Sequence, residues 1–160
     1  MKSDHQILRA QLLALLRGGN AHMTIAEAVA GFPAQAINRR PPNVPYSLWQ
    51  LLEHMRIAQW DILEFIRSPD HVSPDWPEGY WPASGEAGED QWQQTLAAFR
   101  SDLSALQDLV SDPRTDLLAD LPHAKGYNIL REILVVSDHN AYHLGEFATL
   151  RQVIGAWPPD

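Results

Sequence analysis

Cysteine is absent from this 160-residue chain. Its absence excludes disulfide bonds, thiolate metal ligands and a cysteine nucleophile. Basic residues are also scarce, since 12 Lys and Arg stand against 20 Asp and Glu, and the formal net charge is -8. Because phosphate groups are bound by clusters of basic side chains, this balance argues against a nucleic-acid partner and against an anionic membrane surface.

Long apolar segments and strand patterns are missing as well. No stretch is apolar enough to cross a bilayer, and the opening Met1-Lys-Ser-Asp-His leads into an amphipathic run that differs from a signal peptide. We therefore expect a cytoplasmic protein without a membrane partner. No run alternates apolar and polar residues with β-branched side chains, so we expect no strands. The length predicts one domain over residues 1–160.

Helical periodicity covers most of the chain instead. Apolar residues that recur every three or four positions predict four long helices and one short helix. These cover residues 3–17, 24–30, 47–68, 86–110 and 127–154. Thr24 with Glu27, and Ser47 with Gln50, match the capping box of a helix start. The predicted fold is all-α, a four-helix bundle with long crossover connections that contain short helices.

The connection from Ser68 to about Gly85 is rich in proline, glycine and tryptophan. It is long enough for the helices on either side of it to run parallel, and loops of this length are often lids or binding loops. Trp76 and Trp81 lie in this segment. They can line a pocket, although tryptophans of a helix bundle are first of all packing residues.

The last long helix carries two histidines on its apolar face. His139 and His143 are four residues apart, so they lie one above the other on a helix that turns by about 100° per residue. The same turn places Glu132 and Glu146 on their side, together with the apolar residues Val135, Val136, Phe147, Leu150, Val153 and Ile154. Buried polar groups have to be paired or bound, so this face indicates a functional site.

Two histidines at this spacing form a natural two-ligand unit for a divalent metal. His54 lies on the core-facing side of the second long helix and can supply a third nitrogen, which leaves a coordination position open for water or substrate. The alternative is that the three histidines are hydrogen-bonded packing residues without a metal. Glu132 and Glu146 can serve as a fourth ligand, as partners of an imidazole N–H or as a base, and each can also simply reach solvent.

Other residues are weaker candidates for the site. His22 can reach the mouth of the bundle, and Tyr142 can donate a hydrogen bond into the site. We expect His5, His71 and His123 to be exposed, because they lie in loops or near helix ends.

The chain resembles the DinB-like (YfiT-like) superfamily of small four-helix metal proteins. The resemblance is carried by Ser47-Leu-Trp-Gln-Leu-Leu-Glu-His54 and by His139-Asn-Ala-Tyr-His143-Leu-Gly-Glu146, with Ala21-His22, Pro45-Tyr-Ser47 and Trp81-Pro82 in support. It implies metal ligands at His54, His139 and His143, with zinc or nickel as the ion. It also implies a homodimer.

The resemblance says less about the reaction. Relatives that act as enzymes are mostly transferases of low-molecular-weight thiols, with some hydrolases and isomerases. It therefore implies a metal-dependent transferase that adds such a thiol to a small electrophilic substrate. A hydrolase with the same three-histidine site and a non-catalytic, metal-stabilised binding or stress protein remain alternatives.

Overall fold

Side-chain caps fix where the helices begin in the computed structural model, which describes residues 3–158. The outermost residues of the predicted domain 1–160 lie outside this range. Ser3, Thr24 and Ser47 each accept a hydrogen bond from a backbone N–H in the first helical turn and form a capping box. Asn128 caps the start of the last helix. The two capping boxes predicted at Thr24 and Ser47 are confirmed.

The described residues form five α-helices and one small hairpin. In chain order these are α1 (Asp4–Arg17), α2 (Ile25–Val29), α3 (Leu48–Arg67), α4 (Glu89–Ser111), β1 (Asp120–Leu121), β2 (Ala124–Asn128) and α5 (Ile129–Val153). Short 3-10 turns at Ala34–Ala36 and Glu78–Tyr80 lie in the two long connections. The prediction of an all-α helix bundle is confirmed. Over residues 3–158, no helix is long and apolar enough to span a membrane.

Two apolar clusters fill the bundle and show how its helices run. The first half of α3 and of α4 packs with the second half of α5 in a cluster that includes Leu52, Phe99 and Phe147. The second half of α3 and of α4 packs with α1 and the first half of α5 in a cluster that includes Leu16, Leu106 and Ile133. Helices α3 and α4 therefore run in the same direction, as the long loop between them permits, and α5 runs opposite to both.

A polar layer separates the two clusters where α3 faces α5. Helix α3 contributes His54, Gln59 and Asp61, which are all buried. Helix α5 contributes half-buried His139 and His143 from the stretch between its two apolar halves. The antiparallel pair therefore brings the polar residues of both helices to one level of the core.

The strands and two features of the last helix differ from the sequence-based prediction. The expectation of no strands fails because β1 and β2 pair antiparallel and bury Leu121. Helix α5 starts at Ile129 rather than Tyr127, because β2 holds Tyr127. Val135 and Val153 are 40% and 56% exposed, so they do not belong to the buried face of α5. The apolar face is narrower than the sequence suggests.

Helix α4 begins at Glu89, three residues after the predicted start at Glu86. The amide of Asn38 explains the delay, since it accepts from the backbone N–H of Ala87 and donates to the Ala87 carbonyl at 2.9 Å each. A residue whose two backbone groups are both paired in this way is not available to a helical turn. The hydrogen bonds of Asn38, which lies between α2 and α3, therefore determine where the connection between α3 and α4 ends.

Arg151 joins three segments of the chain. It is fully buried, and its guanidinium donates to the carbonyls of Ala28, Ala30 and Ala156 at distances of 2.6 to 3.0 Å. The first two carbonyls belong to the C-terminal end of α2, where helical carbonyls lack intrahelical partners. Arg151 therefore attaches α2 and the segment after α5 to the bundle.

We expect Arg151→Met to lower the free energy of unfolding by about 2–5 kcal/mol, because three carbonyls lose their donor and two of these hydrogen bonds are buried. Urea unfolding followed by circular dichroism measures the loss. Arg114→Met is the matched control, since the Arg114 side chain is 88% exposed and pairs only with Asp112, and it should unfold like the unmodified protein. Equal stability of the two variants would contradict the role given to Arg151.

Candidate metal centre

Three histidines from α3 and α5 meet in the polar layer. Their candidate ligand atoms all lie within 4.8 Å of one another. The Nε2 atom of His54 is 3.2 Å from the Nε2 atoms of both His139 and His143. Nitrogens bound tetrahedrally to one zinc ion at 2.0–2.1 Å are about 3.3 Å apart, so these separations fit a shared divalent ion.

Two of the histidines make a hydrogen bond through Nδ1, the ring nitrogen that faces away from the other histidines. These bonds leave the lone pair of Nε2 directed towards the centre of the group. His54 Nδ1 donates to the carbonyl of Tyr80 at 2.9 Å, and His143 Nδ1 donates to Oε2 of Glu146 at 2.8 Å. Because a carbonyl and a carboxylate only accept, each proton sits on Nδ1 and each Nε2 keeps its lone pair. Outer partners of this kind orient imidazole ligands in metal sites.

Burial favours the neutral, cation-binding form of two of the histidines, His139 and His54. It lowers the pKa of His139 to about 4, with the charges of His143 and His54 lowering it further against a smaller raising contribution from the Asn140 side chain. Burial also lowers the pKa of His54, against a raising contribution from the bond to Tyr80. Protons therefore compete weakly for these nitrogens at neutral pH.

Trp81 and Tyr46 connect His54 to Glu146, the carboxylate that binds His143. Trp81 stacks on His54 with ring centroids 4.3 Å apart and planes 9° apart, and Tyr46 stacks on Trp81 at 4.8 Å. The Tyr46 hydroxyl donates to Oε1 of Glu146. Burial and this bond raise the pKa of Tyr46 to about 12, which keeps the hydroxyl protonated as a donor.

The long loop is fastened to α3 by a buried carboxylate. Asp61 accepts from the Tyr80 hydroxyl at 2.6 Å and from His71 Nε2 at 2.7 Å. Burial, followed by the bond to Asp61, raises the pKa of Tyr80 to about 12. The expectation that His71 is exposed is wrong, because its side chain is only 9% exposed. This anchor holds the Tyr80 carbonyl against His54.

The structure does not bring Glu132 or Trp76 to the histidines. Glu132 is buried, but it pairs with Arg131 and lines a groove of about 390 Å³ that also contains Asp61. It lies two turns from His139 along α5, roughly 10 Å at 1.5 Å per residue. Trp76 is 76% exposed and packs edge-on against Tyr80. Glu132 has the helical spacing that suits the site but contacts other residues, and Trp76 lies in the long loop without contacting the histidines.

The other candidate residues differ in how close they lie to the three histidines. They are Glu146, Tyr142 and His22. Glu146 lies beside His143, but both of its oxygens already accept hydrogen bonds. Tyr142 is 72% exposed, and its ring stands edge-on to His143 with centroids 4.9 Å apart. His22 Nδ1 bonds to the Met23 carbonyl, and the ring lines a separate cavity of about 30 Å³.

The sequence analysis gave no role in the site to two residues, although Tyr46 is part of the Pro45-Tyr-Ser47 segment that supports the family resemblance. Tyr46 and Tyr80 act through a hydroxyl and a backbone carbonyl, and neither group has a recognisable spacing from the histidines. The position of Tyr46 directly before the cap Ser47 is a usable signal, since a cap fixes where the preceding side chain lies relative to the helix. The carbonyl of Tyr80 leaves no comparable trace in the sequence.

Comparisons with known proteins agree with this arrangement. A family model described as the DinB superfamily matches residues 19–147, a range that contains all three histidines. No curated protein and no solved structure matches the chain. The family and the three-histidine group together fit a metal-binding protein, and among residues 3–158 the group consists of His54, His139 and His143.

We expect the stability of the metal-free protein to fall as the pH drops from about 6.5 towards 4, partly because of His139. Its pKa is about 4 in the folded chain against an ordinary value of 6.5, so within this window the unfolded chain binds the additional proton. Urea unfolding in the presence of a chelator should show a shallower dependence between pH 5 and 6.5 for His139→Gln. Above pH 7 the two curves should run parallel, and an unchanged slope between pH 5 and 6.5 would refute the assignment.

Proposed function

The chain belongs to the DinB superfamily, and from this premise we propose that it is a metal-dependent transferase that adds a low-molecular-weight thiol to a small electrophile. One observation carries the proposal, namely that three imidazole nitrogens converge and that no further His, Asp or Glu of the described residues joins their group. Structural zinc sites are closed by four protein ligands, whereas catalytic sites keep a position for water or substrate.

The surroundings of Glu146 support an open position. This carboxylate is the group nearest in sequence that could close the site, but one oxygen accepts from His143 and the other from Tyr46. In the proposed site Glu146 orients His143 through its hydrogen bond to Nδ1 and stands outside the set of three ligands. His143 itself is 15% exposed at the side chain, next to the exposed Tyr142 ring. The ring of His143 is therefore not fully enclosed within the single chain.

Each residue has a separate part in the proposed reaction. His54, His139 and His143 would hold the ion, for which we propose zinc or nickel. Such an ion supplies Lewis acidity, which lowers the pKa of a thiol beside it. Because the chain has no cysteine, the sulfur has to come from a cosubstrate. Trp81 excludes water from one face of His54, and Tyr46 stacks on Trp81.

Hydrolysis by the same site is the second candidate, because an open position accepts water as well as a thiol. A non-catalytic protein, in which the ion only links α3 to α5, is the third. The three candidates share the ligands and differ in what occupies the open position. An assay with and without thiol therefore separates them.

We expect protein purified without an affinity tag to contain one divalent ion per chain and to couple a thiol to a model electrophile. His139→Ala and His143→Ala should lose the stoichiometric metal and the activity, because each removes one of three ligands, while circular dichroism stays helical. His5→Ala and His123→Ala are matched controls at exposed positions. Elemental analysis and a screen of thiols against electrophiles provide the measurements.

The results distinguish the candidates. Turnover that needs metal but no thiol supports the hydrolase, and metal that raises Tm without turnover supports the non-catalytic protein. Unchanged metal content in both ligand variants, or metal loss in either control, would show that the ligands are other residues.

We also propose that the protein is a cytoplasmic homodimer. Support for the dimer comes from α5, which presents Val135, Tyr142 and Val153 at 40%, 72% and 56% exposure on its outer side. Large exposed apolar side chains on one side of a helix are common at protein interfaces. Tyr142→Glu should then weaken the dimer in sedimentation experiments, and Val72→Glu, at an exposed loop position, should not. A monomeric unmodified protein would exclude the dimer.

A further inference from the structure

A groove of about 450 Å³ lies between the N-terminal halves of α3 and α4 and is bordered by the end of the loop that joins them. The two helices run in the same direction, so their first turns lie at the same end of the bundle. The groove has the size of a site for a small molecule. It contains none of the three histidines, although Trp81, which lines it, also stacks on His54.

The indole N–H of Trp49 is a buried donor without a partner. Trp49 is 2% exposed and lines the groove, and its Nε1 atom makes no hydrogen bond within residues 3–158. An indole nitrogen only donates, and a buried tryptophan usually finds an acceptor. A ligand that brings an acceptor atom to this wall of the groove would satisfy the donor.

The first turn of α4 adds further donors to the same groove. No side chain of the described residues caps this helix, whereas side chains cap α1, α2, α3 and α5. The first helical hydrogen bond of α4 runs from the N–H of Trp92 to the carbonyl of Gly88, so the three amides before Trp92 lack intrahelical partners. Gly88 and Gln91, which bound this uncapped turn, both line the groove.

The charges around the groove select an uncharged acceptor. Glu53 and Glu86 line the groove, and Glu89 and Asp90 lie in the first turn of α4, so an anion would meet four carboxylates. A cation offers no acceptor to the unpaired N–H groups. The buried carboxylate of Glu53 is also already paired, because Arg56 donates to it at 2.7 Å. A neutral oxygen is therefore the group that fits these donors.

We propose that this groove binds a small, uncharged, flat molecule that carries carbonyl oxygens. The oxygens accept from the indole N–H of Trp49 and from the free amides at the start of α4. The flat body of the molecule packs against Ile57, Trp81 and Pro82, which supply apolar wall. Because the ligand contacts none of the three histidines, its binding needs no metal. A protein that binds no metal would contradict the proposed function and leave this inference intact.

NMR titration of the unmodified protein tests the class of ligand. The probes are 1,4-diacetylbenzene, p-xylene, terephthalate and p-xylylenediamine, which share one ring and carry neutral carbonyls, no acceptor, two anions and two cations. We expect 1,4-diacetylbenzene to shift the indole N–H signal of Trp49 and the amide signals of residues 89–91 saturably, and to bind at least about threefold more tightly than the others. Equal binding of p-xylene, or tighter binding of either ion, would contradict the proposal.

Gly88→Ser removes donors from the groove and leaves the core unchanged. Gly88 has an extended backbone with φ -79° and ψ 174°, and a Cβ at this position meets nothing within 4 Å. The serine hydroxyl can therefore cap α4 and accept one of its free amides without loss of stability. We expect the variant to bind 1,4-diacetylbenzene about 3- to 10-fold more weakly, since it takes a hydrogen-bond donor from the ligand.

Gly85→Ser is the matched control. Gly85 belongs to the same loop and does not line the groove, and the nearest atom to a Cβ there belongs to Arg40 at 3.9 Å. This variant should bind 1,4-diacetylbenzene like the unmodified protein, and thermal unfolding followed by circular dichroism should show that both variants are folded. Unchanged affinity in Gly88→Ser, or an equal loss in the two variants, would overturn the inference.

Discussion

The site depends on hydrogen bonds that are made on the outer side of its histidines. Three imidazoles whose lone pairs face one another repel each other, and a ring with nothing on Nδ1 could turn or move its proton to escape. The Tyr80 carbonyl and the Glu146 carboxylate prevent this at His54 and His143, because each accepts a proton that must then stay on Nδ1. The inner nitrogens are thereby preorganised for a cation, whose charge removes the repulsion.

The fold provides both the layer in which this arrangement sits and the walls around it. Antiparallel packing of α3 against α5 places the polar middle of one helix beside the polar middle of the other, and the two apolar clusters on either side keep that layer in position. The loop between α3 and α4 completes the site. It brings Tyr80 and Trp81 over His54, and it is itself fixed by the bonds of Asp61 to Tyr80 and His71.

Much of this could be predicted from the sequence, because the determining signals are local. Capping residues and helical periodicity predicted the long helices, and the spacing of His139 and His143 predicted their shared face. The sequence-based predictions failed where a residue far away in the chain, or the path of a loop, determines the local structure. Glu132 has a spacing that suits the site, yet it pairs with Arg131 and lines the groove that contains Asp61. Asn38 delays the start of α4 from across the chain. The role of the Tyr80 carbonyl depends on how the loop folds, which side-chain patterns do not encode.

The burial of Arg151 also constrains the order in which the chain can fold. Helix α2 has five residues, too few to be stable alone, and its terminal carbonyls are paired by a guanidinium more than a hundred positions later. During synthesis on the ribosome, α2 therefore has no partner for these carbonyls until Arg151 has left the exit tunnel. His139 and His143 emerge shortly before Arg151. Docking of α2 and assembly of the histidine site therefore both require the segment from His139 to Arg151. A nascent chain that stalls before this segment emerges can form neither.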